Sequence, residues 1–87
     1  MPDDDLDALV DRVPLGWSRH ELDGRAWGLT RVDHAEGRSS TIEGEELGGR
    51  GRMSANVWRT ASGTHLKPCE MPAEQVLRVL RALPPAP

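Results

Sequence analysis

Gly16-Trp17-Ser18-Arg19-His20-Glu21-Leu22-Asp23-Gly24-Arg25-Ala26-Trp27-Gly28-Leu29-Thr30-Arg31-Val32 reads as two strands joined by a two-residue turn. Asp23-Gly24 carries the signal. A hairpin closed by two residues takes the type I′ turn, which needs positive φ at both, and Asp and Gly tolerate it. Gly16 to Leu22 is then the outgoing strand and Arg25 to Val32 the return. On the return strand Trp27 and Leu29 share a face with Arg25 and Arg31, while Ala26, Gly28, Thr30 and Val32 face the other way. The bulk of Trp27 and Leu29 favours their face for the core.

Downstream the chain keeps the same habit. Asp33 to Arg38 is a loop by composition, with Gly37 as its turn residue. Ser39 to Glu45 is a weaker strand in which Ile42 is the one large apolar residue. Its charge predicts an edge position, where acidic side chains discourage unwanted pairing. Glu46-Leu47-Gly48-Gly49-Arg50-Gly51 is a glycine-rich turn. Its Gly48-Gly49-Arg50-Gly51-Arg52 part lacks the Lys-Ser/Thr pair and following helix of a phosphate loop, and Glu45 and Glu46 precede it where an RNA-binding Gly/Arg segment is basic. Met53 to Thr60 is the fourth strand, Ser62-Gly63 a turn, and Thr64 to Lys67 a short fifth strand that Pro68 stops from donating further.

Helices flank the strands. Leu6, Leu9, Val10 and Val13 form one apolar stripe, predicting a helix over 3–13 with Asp4 or Asp5 as cap and Pro14 as stop. Such a short helix needs the rest of the fold, and the other reading is a frayed, partner-binding arm. Val76, Leu77, Leu80 and Leu83 form a stronger stripe with Pro72 at the first helical position, so Ala73 to Leu83 is a helix. Sequential strands with short turns pair antiparallel. The expected fold is therefore α+β: an antiparallel β-meander of four to five strands, with a short N-terminal helix and a C-terminal helix packed on one face. Residues 1–83 make one domain and residues 84–87 a disordered proline-rich tail.

Bulk properties bound the function. The 87-residue chain carries a net charge of −3 and is 37% apolar, with three Trp, no Phe and no Tyr. Trp17, Trp27 and Trp58 together with the aliphatics are expected to supply the core bulk, the tryptophans the most per residue. An acidic balance disfavours nucleic acid, which selects a basic patch. No apolar run approaches the roughly 18 residues of a membrane span. Met1-Pro2-Asp3-Asp4-Asp5 is acidic where a signal peptide is basic. One cysteine excludes an internal disulfide and suits a reducing cytoplasm.

The residues that could carry chemistry are few. Cys69 stands three residues before Pro72, near the start of the last helix, where free N–H groups favour a thiolate. The competing reading is a small buried hydrophobe, the usual role of a free cysteine. His65, four residues earlier, falls on the same side of an extended stretch as Cys69, which would allow a Cys–His pair. His20, His34 and His65 have no ligand spacing, so no metal and no cofactor is expected. Glu43, Glu45 and Glu46 read as a solvated strand rather than an acid–base pair. If Met53, Ala55 and Val57 face the core, Trp58 stands on an open face with Ser54 and Asn56, as a recognition element does; otherwise it packs under a loop or helix. Trp27, Asn56, Trp58 and Arg59 are the candidate binding residues.

Glu45-Glu46-Leu47-Gly48-Gly49, Ser54-Ala55-Asn56-Val57-Trp58-Arg59 and Leu66-Lys67-Pro68-Cys69-Glu70-Met71-Pro72 with Val76 and Leu80 together resemble a family of small actinobacterial proteins. Gly16-Trp17 and Gly24-Arg25-Ala26-Trp27-Gly28-Leu29-Thr30 add to the likeness, which spans roughly residues 14–83. The abundance of Ala, Arg, Gly, Pro and Asp fits a high-GC bacterial genome. Some members of that family are labelled peptide methionine sulfoxide reductases, which would imply a nucleophilic thiol, here Cys69. The chain lacks the Gly-Cys-Phe-Trp motif of one reductase class and the paired Cys-x-x-Cys ligands of the other. Recycling would then have to be intermolecular. Two expectations follow: an interaction domain that binds a protein partner or a second copy of itself, or a thiol-dependent reductase.

Overall fold

The computed structural model describes residues 6–69 and 71–85. It contains helix α1 (Leu6–Asp11), strands β1 (Gly16–Leu22), β2 (Arg25–His34), β3 (Ser39–Glu46), β4 (Arg52–Thr60) and β5 (Gly63–Pro68), and helix α2 (Ala73–Ala82). The strands form one five-stranded antiparallel sheet in the order β1-β2-β3-β4-β5. The α+β meander expected from the sequence is the observed fold.

The β1–β2 hairpin has the expected register, from Leu22 opposite Arg25 to Gly16 opposite Arg31. Asp23 and Gly24 both have positive φ, 53° and 78°, as the turn requires. The expected 33–38 loop is shorter, because β2 continues to His34. A tight turn follows in which Ala35, Glu36 and Gly37 all have positive φ.

One face of the sheet is covered by the helices. Leu22, Leu29, Ile42, Met53, Ala55 and Val57 point into it and meet Leu9, Val10 and Val13 from the α1 segment and Val76, Leu80 and Leu83 from the α2 segment. Trp27 and Leu66 pack, half-buried, at its margin. The preferred Trp27–Leu29 face is thus the core face, and the α1 stripe packs on the core rather than standing off as a frayed arm. The caps expected at Asp4 and Asp5, and Ala86-Pro87 of the expected tail, lie outside the described residues.

Four expectations are corrected. β3 is the central strand, not an edge: in a meander, order along the chain becomes order in space. Its charges are tolerated because Glu43 and Glu45 lie on the uncovered face, while Ile42 and Gly44 face the core. The tryptophans are not the core's bulk. Trp17 is 61% and Trp58 48% exposed, and the fully buried side chains are mostly aliphatic. Pro68 does not end the ladder, since the Cys69 N–H still donates to the Ser54 carbonyl at 2.9 Å. Pro72 is the N-cap of α2 rather than its first helical residue, with extended backbone at φ −64°, ψ 143°. Among the described residues no helix is long and apolar enough to cross a membrane.

Candidate functional site

Among the described residues the helices leave the other sheet face bare. The register places a row of residues across it: Trp17 of β1, Thr30 of β2, Glu43 of β3, Ser54 of β4 and Cys69 just past β5, each opposite the next. Neighbouring strands lie about 4.8 Å apart, so Glu43 and Cys69 are separated by about 10 Å and the whole row spans about 19 Å. A shallow concavity of about 500 Å³ lies along this row, with Arg52, Glu45 and Met71 also on its wall.

Trp17 takes its place there because Gly28 has no side chain. A Cβ on Gly28 would stand 2.9 Å from the indole Nε1 and 3.0 Å from Cζ2, so this edge of the ring packs against the β2 backbone in the space Gly28 leaves. Glu45 is held by Arg52 at 3.9 Å. Among the described residues Glu43 has no ion-pair or side-chain hydrogen-bond partner. Its carboxylate therefore meets solvent between the indole and the thiol.

Cys69 is exposed. The reading of it as a small buried hydrophobe does not hold, because its alternation puts it on the uncovered face. A second line of contacts reaches it. His34 Nε2 lies 3.0 Å from Thr41 Oγ1, the Thr41 hydroxyl donates to Asn56 Oδ1 at 3.0 Å, and Asn56 Nδ2 lies 4.0 Å from Cys69 Sγ. The outer contacts fix the Asn56 amide with its NH₂ toward the sulfur. His65 shares the face with Cys69 but sits about 13 Å further along the strand. Its Nε2 lies 3.1 Å from Ser62 Oγ and 3.3 Å from Thr60 Oγ1, so it makes no pair with the thiol. His20 is on the opposite face, bonded to Ser18 Oγ at 2.7 Å. Among the described residues no three His, Cys, Asp or Glu side chains cluster to hold a metal ion.

The four candidate binding residues divide between the faces. Asn56 and Trp58 stand on the uncovered side, as does Val32 two strands away, which is 46% exposed. Trp27 and Arg59 are on the covered side. Trp27 lines a second hollow of about 440 Å³ between the hairpin tip and α2, with Leu22, Arg25, Glu46 and Arg78. Arg59 donates to the Ser40 hydroxyl at 2.9 Å and to the Gly37 carbonyl at 3.1 Å, and approaches Asp7 of α1 at 3.7 Å. It ties the helix to the sheet. The sequence reading missed Trp17 and Glu43 as members of the open face. The signal was present: Trp17 alternates in phase with Arg19 and Glu21, two charges that point away from the core. No family model, curated protein or solved structure matches the chain.

Proposed function

We propose that the protein is a non-enzymatic binding module of the cytoplasm that takes a peptide segment of a protein partner on its uncovered sheet face. The observation that carries this reading is the row of Trp17, Thr30, Glu43, Ser54 and Cys69 on a face that neither helix covers. Flat indole surface beside an unpaired carboxylate suits an arginine or lysine side chain, which gains a cation–π contact and an ion pair together. Trp58 and Val32 extend the apolar contact along the segment. The small actinobacterial family remains part of this proposal and rests on the shared motif residues alone.

Selection of a displayed random peptide library against the immobilised protein tests it. Peptides rich in basic and apolar residues are expected, and Trp17→Ala and Trp58→Ala should each weaken their binding by roughly 30-fold, the effect of losing an aromatic anchor worth about 2 kcal/mol. Peptides that bind both variants as well as wild type would place recognition elsewhere.

A second reading is favoured by one observation, the exposed thiol in the same concavity as Trp17, Glu43 and Met71. In a thiol-dependent sulfoxide reductase, the Cys69 thiolate attacks the sulfoxide sulfur, the sulfoxide oxygen passes to the Cys69 sulfur with uptake of one proton, and the thioether leaves. Cys69 is left as a sulfenic acid. Two equivalents of an external thiol return it to the thiol, releasing water and a disulfide. The assay is reduction of methionine sulfoxide peptide with dithiothreitol. On this reading wild type turns over and Cys69→Ser does not; equal rates in the two would dismiss it.

A further inference from the structure

We infer that β1 is a self-association edge, along which a second copy of this chain adds its own β1 antiparallel to make a continuous ten-stranded sheet. This goes beyond the peptide-binding reading and does not rest on it, because the hydrogen-bonding groups involved lie in the plane of the sheet.

The two edges of the sheet differ. At the β5 edge, Pro68 has no N–H, α1 packs against the strand, and the Thr64 hydroxyl donates to Asp7 Oδ1 of that helix at 2.6 Å. At the β1 edge, seven residues run without proline, and the helices pack on β4 and β5 instead. The outward backbone groups can be assigned. The Ala26 carbonyl accepts from Leu47 N–H at 2.8 Å, so it points toward the β3 side of β2. Its partner Glu21 is then in a non-hydrogen-bonded pair, and Glu21 turns its own N–H and C=O outward. By alternation Arg19 and Trp17 do the same.

These residues match their own copy. Antiparallel pairing about His20 sets Arg19 opposite Glu21 and Glu21 opposite Arg19, with both residues presenting their outward backbone groups. Four inter-strand hydrogen bonds result in the plane of the sheet, with two opposite-charge cross-strand pairs on its uncovered side. Pairing about Arg19 would face that arginine with itself, which like-charge repulsion disfavours. The charges that guard an edge against strangers therefore favour pairing about His20 over pairing about Arg19.

Sedimentation of the wild type, Glu21→Arg and the double swap Arg19→Glu/Glu21→Arg tests this, with far-UV circular dichroism confirming that each variant is folded. The wild type should be a reversible monomer–dimer system with a dissociation constant of about 10–100 µM, as befits a small interface. Glu21→Arg should weaken it at least ~10-fold, and the double swap should return it to within ~3-fold of wild type. Amide exchange at Arg19 and Glu21 should slow as concentration rises. A wild type that stays monomeric to ~1 mM, a dimer indifferent to Glu21→Arg, or a double swap that fails to restore association would each overturn the inference.

Discussion

Arg31 lies on the covered face with its side chain only 11% exposed. Its guanidinium donates to the carbonyls of Val10 and Val13, at 3.2 and 3.1 Å, and to both carboxylate oxygens of Asp33, at 3.0 and 3.3 Å. It thereby satisfies carbonyls at the C-terminal end of the α1 segment, where a cation also favours the helix dipole. Asp33 in turn accepts from the Ser40 hydroxyl at 2.6 Å. The Ser40 hydrogen bond, and then the Arg31 guanidinium, hold the Asp33 carboxyl below its ordinary value of 3.8. Protonating Asp33 is therefore harder in the folded chain than in the unfolded one. Its contribution is whole above pH 3.8 and is lost as pH falls through the lower folded value. Urea unfolding should show the wild type losing stability as the pH is taken below about 4, with a visibly shallower acid limb in Asp33→Asn. At neutral pH Arg31→Lys should cost about 2 kcal/mol, because a lysine ammonium cannot reach both carbonyls and the carboxylate together. None of this was legible in the sequence. Alternation gave the face of Arg31, but nothing local links it to carbonyls some twenty residues earlier.

At the scale of elements, what could be read was what is local. Asp23-Gly24 determines its hairpin within four residues, and the Val76–Leu80–Leu83 stripe determines α2 by its own period. The position of β3 is a relation among strands. A single buried Ile42 with glutamates on the other side suits an edge strand and equally a central strand with one wet face. The glycines of β2 and β3 hold the same lesson. Gly44 lies under the core, where a Cβ would stand 2.6 Å from Leu29 Cδ2 and 2.9 Å from Met53 Cγ. Gly28 lies on the opposite face beneath the Trp17 ring. In the sequence both look like weak points in a strand. In the fold each is the space that a neighbouring strand's large side chain fills, one for packing and one for the candidate site. Cys69 was legible as a strand-to-helix corner. Its exposure was not, since that depends on which face the helices choose.

At the scale of the whole molecule, that choice of face is what makes the candidate site, and it ties the sheet to its helices. Without α2, Ile42, Met53, Ala55 and Val57 would meet water on a face as broad as the sheet. Without the sheet, α2 is a ten-residue helix, too short to persist alone. Polar contacts bind the same parts: Asp7 of α1 meets Arg59 of β4 and Thr64 of β5, and Arg12 donates to the Leu83 carbonyl just after α2 at 3.0 Å. Helices and sheet should therefore unfold as one unit. Leu80 is fully buried among residues from both. Leu80→Ala should cost about 2–5 kcal/mol, a large share of what a domain of this size has to lose. The urea transitions followed by far-UV circular dichroism and by fluorescence of Trp17, Trp27 and Trp58 should shift together, with an unchanged slope. The three indoles sit on the sheet, whereas the far-UV signal includes both helices. If the variant's dichroism falls at lower urea than its fluorescence, the helices are lost from a standing sheet, and the covered face would then be a second exposed surface rather than the core's inner wall.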